Sequence, residues 1–162
     1  MVFSSLTFLC IFLPVVLALY YLLPTLRIRN VLLIIVSLLF YAYGEPVYVL
    51  LMIASIIINY IFGRLLGTEN KKKRQWILAI AVIINIGLLV VFKYLDMMVQ
   101  TINQLSGSEI PLAGLALPIG ISFFTFQALS YVIDVYRREV EPQKNLWNVM
   151  LYISFFPQLI AG

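Results

Sequence analysis

Histidine is absent from the 162 residues of this chain, and charged residues make up only 11% of it. Without histidine, the sequence lacks the side chain that most often serves as a general base or a metal ligand. Cys10 is the single cysteine and stands between Leu9 and Ile11, so it has no partner for a disulfide and we interpret it as a small buried apolar residue. The residues therefore predict neither a metal site nor a complete set of catalytic groups.

Hydrophobic residues make up 63% of the sequence, far more than a water-soluble domain of this size carries. A helix that crosses a bilayer needs about 20 apolar residues and satisfies its own backbone hydrogen bonds. We therefore predict an all-α integral membrane protein. The net charge of +4 is concentrated in short loops, so we expect a lipid bilayer as the partner, and no nucleic acid.

The order of apolar segments predicts five to six transmembrane helices in a single transmembrane region, residues 1–162. Pro24 closes the first segment, and Pro14 is expected to kink the helix without ending it. Residues 97–105 are too polar to span, so we expect a short interfacial helix there. The last segment has no polar flank, and we expect the chain to be an N-terminal fragment of a larger helical bundle. The apolar segments are residues 3–23, 31–43, 47–66, 76–92, 115–136 and 146–162.

The charges of alternate loops predict the topology. Three loops are net positive and the two loops between them are net negative. Because basic loops tend to remain on the cytoplasmic side, this pattern predicts an N-terminus outside the cell. The positive loops carry Arg27 and Arg29, then Arg64 with Lys71–Arg74, then Arg137, Arg138 and Lys144; the negative loops carry Glu45, and Lys93 with Asp96 and Glu109.

One polar stripe on the fifth apolar segment is the best candidate for a functional site. Gln127, Tyr131, Asp134 and Arg138 follow at helical spacing, and Gly120 extends the stripe towards the other leaflet. Polar groups at membrane depth need a partner or a task. The functional interpretation is the wall of a substrate or acyl-donor passage. The structural one is a packing seam between helices, in which Asp134 pairs with Arg138.

Other polar positions are better explained by helix packing and topology. A second stripe on the third segment comprises Tyr48, Met52, Ser55 and Asn59, and Asn85 stands alone in the fourth segment. The basic run of residues 71–74 fits a cytoplasmic loop, although anionic lipid or an acidic carrier protein is an alternative partner. The Pro118-x-Gly120 sequence would allow the fifth helix to begin as a broken or re-entrant element.

Several stretches resemble the membrane-bound O-acyltransferase family, in particular its alginate O-acetyltransferase branch. The similarity extends over almost the whole chain. It begins with MVFSSLTFL at residues 1–9, SLLFYAYGEP at 37–46 and Asn59-Tyr60. The most specific stretches are LPIGISFFTFQALSYVIDVYR at residues 117–137 and FFPQLIAG at 155–162.

This resemblance implies an enzyme of the bacterial cytoplasmic (inner) membrane that transfers acetyl groups to an extracytoplasmic polysaccharide such as alginate. The donor would be acetyl-CoA or an acyl carrier, with no bound cofactor. The family's essential histidine lies downstream of the matched region, so no catalytic residue can be assigned here and the chain alone is expected to be inactive. The implied partners are the C-terminal helices of the same protein, an extracytoplasmic acetyltransferase and the polysaccharide.

A non-enzymatic membrane subunit, either a transporter component or a scaffold, is the alternative hypothesis. Such a subunit would use the stripe from Gln127 to Arg138 as a polar pathway or a contact surface. The two hypotheses differ in whether the stripe serves acyl transfer.

Overall fold

A computed structural model describes residues 7–44, 46–107, 109–112, 114, 118 and 120–161. Within these ranges the regular structure is entirely helical, which confirms the predicted all-α class. A π-helical turn, Phe8–Phe12, leads directly into the first α-helix. The α-helices are α1 (Leu13–Leu22), α2 (Leu26–Gly44), α3 (Tyr48–Leu65), α4 (Lys71–Leu89), α5 (Leu95–Ser106), α6 (Ile121–Arg137), α7 (Leu146–Ser154) and α8 (Phe156–Ala161).

Pro14 lies in the first turn of α1, immediately after the π-helical turn. A proline has no N–H to donate to the preceding turn, and a π-helical turn is a common accommodation of such an irregularity. The helical path therefore continues through Pro14, as predicted. Cys10 is exposed, so the prediction of a buried cysteine was wrong; an apolar helix in lipid can direct a small side chain outward at no cost.

Arg27 and Arg29 lie within α2 and not in a loop before it, contrary to the prediction. No helix breaker follows Thr25, and arginine is a good helix former, so α2 begins as soon as Pro24 has passed. The Arg29 Nε donates a hydrogen bond to the Leu23 carbonyl oxygen at 2.9 Å. Its guanidinium also stacks over the Tyr20 ring at 5.1 Å. Arg29 thus provides a hydrogen-bond donor for a carbonyl oxygen at the C-terminal end of α1.

The basic run of residues 71–74 forms the first turn of α4, where a loop was predicted. Asn70 caps this helix, because its side-chain oxygen accepts a hydrogen bond from the Lys73 N–H at 3.3 Å. The connection between α3 and α4 is consequently short and leaves Glu69 exposed. The predicted hairpin turn before α3 includes Glu45, which lies outside the described residues.

A second π-helical turn, Val90–Tyr94, joins α4 to α5 without a break. Helix α5 has no buried residue and ends at Gly107, whose φ of 66° lies in the left-handed region. Glycine adopts that conformation without the steric cost of a Cβ. The predicted short helix is therefore present, and its location at the membrane interface stays a prediction.

The last apolar segment is broken into α7 and α8 around Phe155. The break allows the Phe156 N–H to donate a hydrogen bond to the Ser37 hydroxyl of α2 at 3.3 Å. Pro157 sits at the start of α8, a position that a proline tolerates. A single spanning helix over residues 146–162 is therefore not what the described residues form.

Helix α6 packs against α3, α4 and α7, and this interface forms the main core. Its best-buried apolar side chains are fully inaccessible: Met52, Ile56, Ala81, Phe124, Ala128 and Val132. A smaller aromatic cluster joins the first helical segment to α2 and α8 through Phe8, Phe40 and Phe156. The core thus places α6 at the centre of the bundle.

Among the described residues, three helices are long and apolar enough to cross a membrane by length and composition: Leu26–Gly44, Tyr48–Leu65 and Lys71–Ser106. Large apolar side chains such as Leu39, Leu50 and Ile83 are exposed on them, as expected where lipid is the solvent. Helix α6 has 17 residues, shorter than the predicted segment 115–136. The count of five to six transmembrane helices therefore stays a prediction.

Candidate functional site

Gly120 lies at the N-terminal end of α6, away from the rest of the predicted stripe. Gly120 is the N-cap residue, with a φ of 74°, and its carbonyl accepts the first helical hydrogen bond from the Phe124 N–H at 3.0 Å. Asp134 lies about 21 Å farther along the axis, at 1.5 Å per residue. Gly120 therefore starts the helix and cannot share a compact site with Asp134.

Gln127 joins three helices. Its Nε2 donates to the Tyr152 carbonyl oxygen of α7 at 3.0 Å and to the Gln158 Oε1 of α8 at 2.8 Å. Both bonds hold the broken last segment against α6. This geometry favours the packing interpretation for Gln127.

Tyr131 is buried at the place where α3, α6 and the chain before α7 meet. Its hydroxyl accepts a hydrogen bond from the Gln143 N–H at 3.1 Å. Its ring lies against Gly63 of α3, where an added Cβ would stand 2.6 Å from the hydroxyl oxygen. The absence of a side chain at Gly63 is therefore what admits the tyrosine ring.

Asp134 lines a cavity of about 240 Å³ between α6 and α7. Among the described residues its carboxylate makes no hydrogen bond or ion pair. A partly buried carboxylate without a partner is costly unless water or a ligand reaches it. The cavity lining also includes Tyr131, Val140, Gln143, Asn148, Val149 and Tyr152.

The predicted pairing of Asp134 with Arg138 was wrong. Arg138 ends α6 with a φ of 62°, in the left-handed region. Leaving the helical conformation removes the i, i+4 geometry that would bring the two side chains together. Instead the Arg138 Nη2 contacts the Glu69 Oε2 at 2.8 Å, in an exposed ion pair. Gln127, Tyr131 and Asp134 thus share the α7 side of α6, and Arg138 does not.

Arg74 is a residue whose role the sequence interpretation missed. It is buried, with 7% exposure, although its three lysine neighbours are exposed. Its Nη2 donates to the Tyr136 carbonyl oxygen, and its guanidinium lies 5.3 Å from the Tyr136 ring centroid. It therefore caps the C-terminus of α6, where helix carbonyls lack partners and a positive charge is favoured.

Helical spacing gives a signal that would have identified Arg74. Residues 74, 77, 81 and 85 recur at intervals of three and four, so Arg74 belongs to the same face of α4 as Asn85. The buried face of α4 therefore begins at the basic run. Arg74 also lines a second cavity of about 350 Å³, formed by residues 66–69, 135, 138 and 140–142.

Asn59 of α3 and Asn85 of α4 are each other's hydrogen-bond partners. The Asn59 Nδ2 donates to the Asn85 Oδ1 at 3.0 Å, and the Asn85 Nδ2 donates to the Asn59 Oδ1 at 2.8 Å. Each remaining N–H goes to a helix carbonyl one turn earlier, on Ser55 and Ala81. The predicted packing role of this stripe is supported by this fully paired amide seam.

Comparison with known proteins places these features in a family. The chain is 40% identical, over its full length, to "Probable alginate O-acetylase AlgI" of Pseudomonas aeruginosa and equally to the protein of that name from Pseudomonas syringae. It belongs to the membrane-bound O-acyltransferase family. This confirms the resemblance seen in the sequence, and the chain is a membrane protein.

A more distant relative extends the range of acceptors within the family. The chain is 32% identical over 80% of its length to "Peptidoglycan O-acetyltransferase" of Helicobacter pylori. It covers 32% of the Pseudomonas aeruginosa protein and 29% of the Helicobacter pylori protein, so it spans about a third of the length of the curated relatives it matches. No family model and no solved structure matches this chain.

Proposed function

We propose that this chain forms part of a bacterial inner-membrane O-acyltransferase that transfers acetyl groups to an extracytoplasmic polysaccharide such as alginate. The observation that carries the proposal is 40% identity over the full chain to alginate O-acetylases. In this proposal the chain alone has no activity, because it contains no histidine to deprotonate an acceptor hydroxyl. The remaining helices of a complete enzyme would supply that base.

Within this enzyme, we assign the Asp134 cavity to the passage of the acyl donor. The cavity lies at the end of α6 where basic residues gather, which is the cytoplasmic end if the N-terminus is outside. A cytoplasmic donor such as acetyl-CoA or an acyl carrier would enter there. The unpaired carboxylate of Asp134 would accept a hydrogen bond from an N–H or hydroxyl of the donor.

A chimaeric enzyme tests the proposed function. The matching third of the Pseudomonas aeruginosa alginate O-acetylase is replaced by this chain, and the acetyl content of the secreted alginate is measured in cells that lack their own enzyme. Restored acetylation is expected, whereas the chain expressed alone should give none. A chimaera that reaches the membrane at normal level but leaves alginate unacetylated would contradict the proposal and favour a non-enzymatic subunit.

A further inference from the structure

The connection between α6 and α7 forms part of the wall of both cavities. We define the strap as residues 140–144. Val140 lines both the Asp134 cavity and the cavity that contains Arg74. Gln143 faces the first cavity, and Glu141 with Pro142 faces the second. A displacement of the strap would therefore open both cavities at the same time.

Two tyrosine hydroxyls hold the strap in place. Within the described residues, the backbone of 140–144 makes two hydrogen bonds. The Gln143 N–H donates to the Tyr131 hydroxyl at 3.1 Å, and the Tyr60 hydroxyl donates to the Lys144 carbonyl oxygen at 2.9 Å. These bonds come from α6 and α3, respectively, so the strap is fastened to two different helices. Neither bond belongs to a helix or a sheet.

The remaining contacts of the strap are weak. The side chain of Gln143 accepts a bond from Asn148 at 3.3 Å. Val140 is 41% exposed, and Glu141 and Lys144 are also exposed. A segment with few buried apolar contacts and side-chain-dependent backbone bonds opens at low free-energy cost compared with the helices around it.

From this arrangement we infer that the strap is a movable gate of the Asp134 cavity, and that Tyr60 and Tyr131 are the positioning residues that keep it closed. Closed, the strap leaves the unpaired carboxylate in a small cavity. Open, it joins the spaces on its two sides and exposes Asp134. The gate does not depend on the proposed reaction, because it follows from the two hydroxyl contacts and the shared wall.

A thiol placed at position 134 reports the opening of the gate. In a Cys10→Ser background, Asp134→Cys introduces that thiol without breaking a described contact, and its rate of alkylation by a cationic maleimide is measured. Tyr60→Phe removes only the hydroxyl that holds Lys144. It is expected to raise the alkylation rate by about two- to tenfold, the effect of losing one hydrogen bond. Tyr131→Phe should act in the same direction.

Two controls separate gating from general loosening. Tyr43→Phe removes an exposed hydroxyl with no partner among the described residues and should leave the alkylation rate at position 134 unchanged. Gln75→Cys places a thiol on the exposed surface of α4 at the same end of the bundle, and its rate should not respond to Tyr60→Phe. Equal acceleration at both thiols, or none at position 134, would overturn the gate.

A disulfide between the α3–α4 turn and the strap offers the converse test. A Cβ built on Gly67 lies 4.0 Å from the Cβ of Pro142, within the range that a disulfide requires. Gly67→Cys with Pro142→Cys, once oxidised, should lower alkylation at position 134 and abolish the effect of Tyr60→Phe. Reduction should restore both. An oxidised pair that leaves the rate at position 134 unchanged would show that the strap does not control access. Since none of these measurements involves acyl transfer, they can fail while the proposed function holds.

Discussion

The Asn59–Asn85 seam and the Asp134 cavity differ in whether their polar side chains have hydrogen-bond partners within the bundle. At the seam, two amides are almost fully buried, with 1% and 2% exposure, and satisfy each other. In the cavity, a carboxylate of intermediate burial has no partner among the described residues. A polar group that pairs within the bundle is explained by helix packing, whereas an unpaired carboxylate that lines a cavity indicates a ligand or water.

Arg74 is a buried charged residue that, like the two asparagines, has its hydrogen-bond partners within the bundle. Arg74→Met removes the cap from the Val135 and Tyr136 carbonyl oxygens. We expect a loss of about 1.5–3 kcal/mol in the free energy of unfolding, the range for a hydrogen bond to a charged group. Lys72→Met, on the exposed side of the same turn, is the control and should change little. Denaturation of the chain by SDS in mixed micelles measures the free energy of unfolding of both variants. Equal values for Arg74→Met and Lys72→Met would contradict a stabilising role for the Arg74 hydrogen bonds.

Gly63 lies between the two regions and tests how closely they are packed. Gly63→Ala would place a methyl group 2.6 Å from the Tyr131 hydroxyl and 2.7 Å from its ring. Since Tyr131 is buried, we expect a destabilisation of about 1–3 kcal/mol from overpacking. Gly87→Ala is the matched control, because an added Cβ there meets nothing within 4 Å. It should be neutral or slightly stabilising. Similar unfolding curves for the two variants would contradict the close contact.

The seam itself is tested by a double-mutant cycle. Asn59→Leu leaves the Asn85 amide without its partner, so we expect a loss of about 1 kcal/mol. Replacing both asparagines by leucine should recover most of that loss, because no buried amide is then left unpaired. Additive losses of stability in the double variant would show that each amide stabilises the bundle through contacts other than its partner. The contrast with Asp134 would then be weaker.

The smallest effect is expected at the exposed ion pair beside the strap. Glu69→Gln removes the partner of Arg138, whose side chain is 59% exposed. Exposed pairs contribute about 0–1 kcal/mol, so the free energy of unfolding should change by less than about 0.5 kcal/mol. Raising the salt concentration should change the free energy of unfolding of the original chain no more than that of the Glu69→Gln variant. A large loss of stability in Glu69→Gln would show that the Glu69–Arg138 pair does stabilise the bundle.

The sequence predicted the helices best where long apolar runs meet strong turn signals. The third segment was predicted over residues 47–66, and α3 covers Tyr48–Leu65. The boundaries failed where charged residues were assumed to be loops, because arginine and lysine continue a helix readily. Arg29 and Arg74 both lie in first helical turns and stabilise the end of another helix.

The site was only partly predictable for a different reason. Helical spacing correctly brought Gln127, Tyr131 and Asp134 to one side of α6, since that depends on a single helix. Contacts across the bundle depend on which helices are neighbours, and periodicity does not contain that information. The partners of Asn85 and Arg138, on α3 and in the α3–α4 turn, therefore emerged only from the packed structure.

The most direct test of the difference between the two regions is Asp134→Asn in the chimaeric enzyme, with Asn59→Leu as its counterpart. We predict that Asp134→Asn keeps the protein level and lowers acetyl transfer by roughly ten- to a hundredfold, as the loss of a hydrogen bond to a charged group would do. Asn59→Leu should lower the protein level, with the remaining protein active. Full acetylation by the Asp134→Asn enzyme, or loss of the protein itself, would contradict a functional role for the unpaired carboxylate.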